Sequence, residues 1–177
     1  MRTRRLLVTI AAGMLTLGIA LPASADATGA TSATITVTGG SLSITVPSDA
    51  GNLGTRANSV LGGTISGPLG QVQVTDARSA AAGSGWIASV ISTAFTPPAG
   101  PAIPASNVSY SAGAIVKVGT ATYIANNPGD LTAVNPAVTA TGITGDNSAT
   151  WNPTISVFVA GGMAAGIYSA TITHSVL

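Results

Sequence analysis

The fold of this chain is decided by residues 72–90, in which VQVTDAR (72–78) is followed by SAAAGS (79–84) and GWIASV (85–90). Val72 and Val74 project to one side of an extended strand, and the polar residues between them project to the other. The small residues at 79–84 predict a turn, and a second strand begins near Trp86. This pattern predicts two strands separated by a turn, the first of them with one buried face.

The same alternation recurs along the chain, separated by Gly, Pro and Asn, and no segment has a helical period. Residues 34–38 and 42–46 flank Gly39-Gly40 and predict a hairpin. Residues 155–167 are too short to cross a bilayer and predict a second hairpin whose loop contains Gly161-Gly162. About ten short strands in all predict an all-β fold, an antiparallel β-sandwich, with a closed barrel as the alternative.

The N-terminus has the pattern of a targeting segment. Three arginines within the first five residues precede an apolar run at 6–21, and Ala23-Ser24-Ala25 forms a small-residue cleavage site. The run is shorter than the roughly 20 residues of a spanning helix. We therefore expect a cleaved signal peptide at 1–25 and a single domain at 26–177, secreted and without a membrane anchor after cleavage. An uncleaved anchor is the alternative.

The composition of residues 26–177 excludes several classes of partner. Arg56, Arg78 and Lys117 are the only basic residues there, so no basic patch for nucleic acid or anionic lipid can form. Glu and Cys are absent from the chain. Without disulfides, the predicted domain depends on its hydrophobic core, which its length permits.

Few residues could carry catalysis or bind a metal. His174 is the only histidine, Lys117 the only lysine, and neither a Gly-x-Ser-x-Gly nor a Ser-x-x-Lys motif occurs. Zinc requires several His or Cys ligands. Asp146-Asn147 and residues 126–130 lack the spacing of a calcium loop and are typical of turns. We expect no enzymatic activity, no metal and no cofactor.

The aromatic residues and His174 are the binding candidates. Tyr168, Ile172 and His174 share the apolar face of the last strand, so a packed histidine is favoured over a binding or pH-sensing one. Tryptophans can stack on sugar rings, but they also fill cores. The core is favoured for Trp86. For Trp151, which begins a strand after a turn, both remain open.

Asp76 and Arg78 lie two residues apart and therefore project to the same side of the strand. That side also carries Val72 and Val74. An acid and a base that leave the core side together indicate bonds between the strand end and a neighbouring loop. This structural role is favoured over direct contact with a ligand.

Two regions together resemble the WxL domains of Gram-positive bacterial surface proteins. Residues 74–78 and 85–88 resemble the region of the Trp-x-Leu motif, and residues 157–159 and 165–176 resemble the distal Tyr-x-x-x-Leu-Thr-Trp-x-Leu motif. The matching residues are Trp86, Tyr168 and Thr173. The departures are Ala88, Ile172 and Val176 in place of leucine, and His174 in place of tryptophan.

The resemblance implies a secreted β-rich domain that binds the cell wall noncovalently, through peptidoglycan or another wall polymer, together with other surface proteins. The alternative is a structural subunit of a surface assembly that pairs with another chain through exposed strand edges and Thr-rich faces. A wall hydrolase is disfavoured by the scarcity of His, Lys and Glu. The candidate wall-binding residues are Trp86, Trp151, Tyr168 and His174, and the structural motif comprises Asp76, Arg78, Ala88, Ile172 and Thr173.

Overall fold

A computed structural model describes residues 31–177, so the predicted signal peptide lies outside the described residues. The strands in chain order are β1 (Leu42–Thr45), β2 (Gly63–Pro68), β3 (Val72–Ser92), β4 (Val108–Ser111), β5 (Ile115–Ala125), β6 (Asn135–Trp151), β7 (Thr154–Val159) and β8 (Ile172–Val176). A 3-10 turn at Ala105–Asn107 precedes β4. Residues 37–177 form one compact unit, and residues 31–36 belong to a separate N-terminal one.

The strands form two antiparallel sheets. One has five strands in the order β1-β3-β6-β5, with β8 also paired to β3. β1 pairs with the start of β3 and β8 with its end, so both lie on the side of β3 opposite β6. The other sheet has three strands in the order β2-β7-β4. β5 therefore forms one complete edge of the five-stranded sheet.

The core lies between the two sheets, and both contribute to it. Val72 and Val74 from β3, Val108 from β4 and Ile155 from β7 are all fully buried. Each strand supplies alternate residues, because successive side chains project to opposite faces. The prediction of an all-β, antiparallel sandwich is confirmed.

The strands are fewer and longer than predicted: β3 has 21 residues and β6 has 17. The predicted turn at 79–84 is wrong, because these residues continue β3. They pair irregularly with β6, through register shifts at Asp76/Ala80, Ala80/Ser84 and Ser84/Trp86. Positive φ angles at Ser79 and Gly83 accompany these shifts. Small residues therefore indicate β-bulges here, since a bulge needs the same backbone freedom as a turn.

Both predicted hairpins are wrong. Residues 34–38 form no strand, and β1 pairs with β3 instead. The Gly40 N–H donates to the Ala77 carbonyl, so Gly39-Gly40 continues along β3 and does not fold back. β7 lies between β2 and β4, so both of its edges are occupied, and β8 crosses to the other sheet.

Candidate functional site

Trp86 lies in the core and is only 2% exposed. Its indole Nε1 donates a 3.0 Å hydrogen bond to Asn147 Oδ1, and its ring lies 5.7 Å from that of Tyr123. The Tyr123 hydroxyl donates to the same Asn147 oxygen at 3.2 Å. Burial raises the pKa of Tyr123. Trp86 is therefore a packing residue, and its face is not available for stacking on a sugar.

Asp76 and Arg78 form an ion pair with two hydrogen bonds, beside Asn147. Arg78 Nε donates to Asp76 Oδ1 at 2.8 Å and Arg78 Nη2 to Asp76 Oδ2 at 2.9 Å. Arg78 Nη2 also donates to the carbonyl of Gly85 at 3.2 Å. The carboxylate is fully buried, whereas the Arg78 side chain is 38% exposed. Arg78 and Gly85 lie before and after residues 79–84. The ion pair and the bond to Gly85 thus connect the two ends of the irregular part of β3.

The hydrogen bond from the Arg78 side chain lowers the pKa of Asp76, against the opposing effect of burial. Asn147 is the direct cross-strand neighbour of Asp76 and its amide also lowers this pKa. The Asn147 Nδ2 reaches hydrogen-bond geometry with no atom of residues 31–177. We name Asp76, Arg78, Trp86, Tyr123 and Asn147 the Trp86 network.

A second network surrounds Trp151, which is also 2% exposed. Its Nε1 donates a 2.7 Å hydrogen bond to the hydroxyl of Tyr110, and this hydroxyl lies 3.2 Å from His174 Nε2. The Tyr110 and His174 rings meet edge to face at 5.6 Å. Tyr110 belongs to the three-stranded sheet and the other two to the five-stranded sheet. This Trp151 network therefore connects the two layers of the sandwich.

Burial lowers the pKa of His174 from 6.5 to about 4 and raises that of Tyr110. Both side chains are thus neutral at pH 7, which allows a chain of uncharged hydrogen bonds. The side-chain hydrogen bond of His174 is made with a tyrosine hydroxyl. This arrangement is that of a packed histidine.

The remaining motif residues lie along the β3–β8 pair. Ala88 is fully buried and faces Val176, and Ile91 faces Thr173. Ile172 is partly buried against the core, whereas Thr173 is exposed. The parity predicted for this strand is confirmed, with His174 on the buried side.

Tyr168 lies apart from both networks. It is partly exposed, and its hydroxyl donates a 2.8 Å hydrogen bond to the carbonyl of Ala164. This bond closes a short local loop before β8. Of the four candidate wall-binding residues, Trp151 and His174 come together, while Trp86 and Tyr168 each lie elsewhere.

The sequence predicted Thr-rich faces that pair with another chain, but it did not predict the outer face of the five-stranded sheet as a wall-binding site. Two rows of side chains cross four strands there, in the cross-strand order Thr45, Gln73, Thr150, Val116 and Ser43, Thr75, Ser148, Val118. These eight residues form what we call the outer platform. Six carry a hydroxyl or amide group and none is charged. Val116 and Val118, at one end, are 68% and 66% exposed.

β5 also presents an open edge. It has 11 residues and pairs with β6 on one side, with register shifts before and after Thr120, and it is the end strand of its sheet. Ile124, near its C-terminus, is 52% exposed. An end strand of this length presents a row of unpaired N–H and C=O groups that another strand can pair with.

Among residues 31–177, no group of three or more His, Cys, Asp or Glu side chains could hold a metal ion. No helix in this part of the chain has the length and apolarity needed to cross a membrane. The fold and its two networks thus define an all-β domain with a hydroxyl-rich outer face. Comparisons of the chain with protein-family models, curated proteins and solved structures found no match.

Proposed function

We propose that this protein is a secreted, non-catalytic surface domain that associates noncovalently with the cell wall, through peptidoglycan. The outer platform is the observation that carries the proposal. It is an uncharged array of hydroxyl and amide groups about 14 Å across, given a spacing of about 4.8 Å between strands. The resemblance of the two sequence regions to WxL domains supports the same role.

The platform has the chemistry of a surface for sugar polymers. Its hydroxyl and amide groups can both donate and accept hydrogen bonds, as sugar hydroxyls do. Val116 and Val118 add an apolar area that suits the C–H faces of saccharide rings. The wall-contact surface proposed here therefore replaces Trp86 and Trp151, whose rings lie in the core.

Sedimentation with purified peptidoglycan tests this proposal. Thr75→Val and Thr150→Val remove hydroxyls from the platform but keep the branched shape of the side chain, so the sheet should be preserved. We expect the double variant to sediment less than the unaltered protein. Thr64→Val is the matched control, because Thr64 is an exposed threonine of the other sheet. Recovery of the unaltered protein entirely in the supernatant would overturn the proposal.

The non-catalytic part of the proposal has its own test. His174 is engaged with Tyr110, and Asp76 is engaged with Arg78, so neither is free to act as a general base. Zymography of the purified protein on wall substrates should therefore show no cleared zone. A cleared zone that disappears in His174→Gln would contradict this role.

The open edge of β5 favours a second candidate function, a structural subunit of a surface assembly. Exposed apolar residues on an end strand are typical of strand-pairing surfaces. Sedimentation-velocity measurements over a concentration series should show association. A strict monomer at high concentration, with no partner on pull-down, would exclude this function and leave wall binding unaffected.

A further inference from the structure

Residues 33–38, ATITVT, have the pattern of a half-buried strand but form none. Ile35 and Val37 are 91% and 80% exposed. β-branched residues at every position from 34 to 38 favour an extended conformation. A segment of this composition usually covers its apolar side in a sheet, so the exposure of Ile35 and Val37 indicates a partner.

We propose that residues 33–38 of one copy of this chain add to the open edge of β5 in a second copy, as a sixth, antiparallel strand. This inference rests on the assembly role proposed above and names the partner. The acceptor is the half of β5 from Thr120 to Ala125, which also has six residues. It lies beyond Lys117, the single lysine of the chain, whose charge discourages pairing at the other half.

The two segments match residue by residue. In β5, Ala121, Tyr123 and Ala125 are partly buried, whereas Thr120, Thr122 and Ile124 are exposed. The register in which Ile35 faces Tyr123 also places Val37 against Ala121 and Thr36 against Thr122. Apolar side chains then meet on the core side. On the outer side Thr36 and Thr38 meet threonines, whereas Thr34 meets Ile124, and such cross-strand pairs contribute about 0.2–1 kcal/mol each.

The same chain cannot supply this strand to its own β5. β1 and Gly40, which follow this segment, are hydrogen-bonded to β3. In the sheet, β3 and β6 lie between β1 and β5. A strand added to the open edge of β5 would lie four strand spacings from β1, a distance of about 19 Å. The two residues from Gly40 to Thr38 span at most about 7 Å. The acceptor must therefore belong to another copy.

The free edge of β3 between β1 and β8 is the nearest alternative partner within one chain. Three register shifts interrupt β3 there, and Ser79 and Gly83 have positive φ angles of 53° and 89°. These interruptions break the regular row of N–H and C=O groups that an added strand requires. The acceptor half of β5 has one register shift, between Thr120 and Thr122, and is regular from Thr122 to Ala125, where every residue faces a successive residue of β6.

Sedimentation velocity on two variants of residue 35 tests the proposal. The Asn126 N–H donates to the Ala137 carbonyl, and hydrogen-bonded pairs alternate along an antiparallel ladder, so Tyr123 turns its N–H and C=O to the open edge. Ile35→Pro removes the backbone N–H that faces Tyr123, whereas Ile35→Val keeps the extended preference. Residue 35 lies outside all strands, so both variants should keep the unfolding midpoint of the unaltered protein. We expect association to be lost in Ile35→Pro and retained in Ile35→Val. Association that persists in Ile35→Pro would overturn strand addition but leave the assembly role intact.

Disulfide trapping tests the register, because the chain has no cysteine of its own. Facing residues of an antiparallel pair lie about 4.5–5.5 Å apart, within the range of a disulfide. A mixture of Thr36→Cys and Thr122→Cys proteins should form the mixed dimer on mild oxidation. Thr141→Cys is the matched control, since Thr141 is exposed and faces Thr122 one strand further in.

Equal trapping at 122 and 141 would overturn the proposal. A monomer in which hydrogen exchange shows residues 33–38 protected would also overturn it, because the strand would then pair within its own chain. Sedimentation of the same samples with peptidoglycan reports wall binding separately. Failure of strand addition is thus distinguishable from failure of the wall role and, through the two Ile35 variants, from failure of assembly.

Discussion

The Trp86 and Trp151 networks are built alike but stabilise different parts of the molecule. In each, a buried indole N–H donates to a side-chain oxygen from another strand. The Trp86 network lies within the five-stranded sheet and contains an ion pair. The Trp151 network crosses between the sheets and is neutral. The difference indicates that the Trp86 network stabilises the irregular strand β3, whereas the Trp151 network stabilises the packing of one sheet on the other.

The largest effect is expected at the connection between the sheets. Trp151→Ala should lower the free energy of unfolding by about 3–5 kcal/mol, because it opens a cavity in the core. Trp151→Phe keeps most of the ring and should cost less, mainly through the lost hydrogen bond to Tyr110. Equilibrium unfolding in urea measures both. Equal losses in the two variants would show that the hydrogen bond, and not the packing, carries the connection.

As the pH falls, the stabilising contribution of the Trp151 network should be lost at a higher pH than that of the Trp86 network. The folded protein holds His174 with a pKa of about 4, below its ordinary value of 6.5. The unfolded chain therefore binds more protons between these values, and stability should fall as the pH drops from 6.5 to 4, by up to about 3 kcal/mol. His174→Gln should remove most of this slope.

Asp76 has a lowered pKa, so its contribution is present above 3.8 and is lost only as the pH falls below that value. The two networks should thus produce two separate acid transitions in unfolding measurements at a series of pH values. A slope between pH 6.5 and 4 that persists in His174→Gln would contradict this assignment.

A smaller loss is expected from Arg78→Ala, about 1–3 kcal/mol, because it leaves a buried carboxylate without its charged donors. Water can reach the vacated position, since Arg78 is partly exposed, and this limits the cost. Arg78→Lys should retain part of the stability but lose the two-point geometry. Hydrogen exchange should show faster opening confined to the irregular part of β3. Uniformly faster exchange across both sheets would contradict a local role.

The smallest effect is expected at Lys117, whose Nζ lies 6.0 Å from the centre of the Tyr123 ring. Lys117→Met should change stability by less than about 1 kcal/mol. It should, however, strengthen strand addition at β5, because it removes the one positive charge on that edge. The measurement is the association constant from sedimentation. Unchanged or weaker association would contradict the role given to Lys117.

Alternation along the chain was enough to predict the fold class and the buried side of β8, because a strand has a local period of two. The alternation also indicated that Asn147 is buried, because Asn147 projects to the same side of its strand as the buried Ala149 and Trp151. Strand partners were not predictable in the same way. Backbone hydrogen bonds do not depend on side-chain identity, so β1 and β8 paired with β3 and not with their neighbours in sequence.

The site was harder to predict than the fold for a related reason. The outer platform brings Gln73, Thr150 and Val116 into one row from three strands distant in sequence. Only the cross-strand register creates that row. Asp76 and Arg78, in contrast, are two residues apart, and their projection to the same side was predictable from strand geometry alone. The prediction was of bonds to a neighbouring loop, whereas the two side chains bond to each other.

The most direct test of the account is the fluorescence of the two tryptophans, which are the only ones in the chain. Both are 2% exposed. The proposed wall contact is made by the outer platform. The emission should therefore be blue-shifted and poorly quenched by acrylamide, and both properties should stay unchanged when soluble peptidoglycan fragments bind. Emission from exposed indoles, or a change in quenching that follows fragment binding, would show that a tryptophan contacts the ligand and would contradict the account.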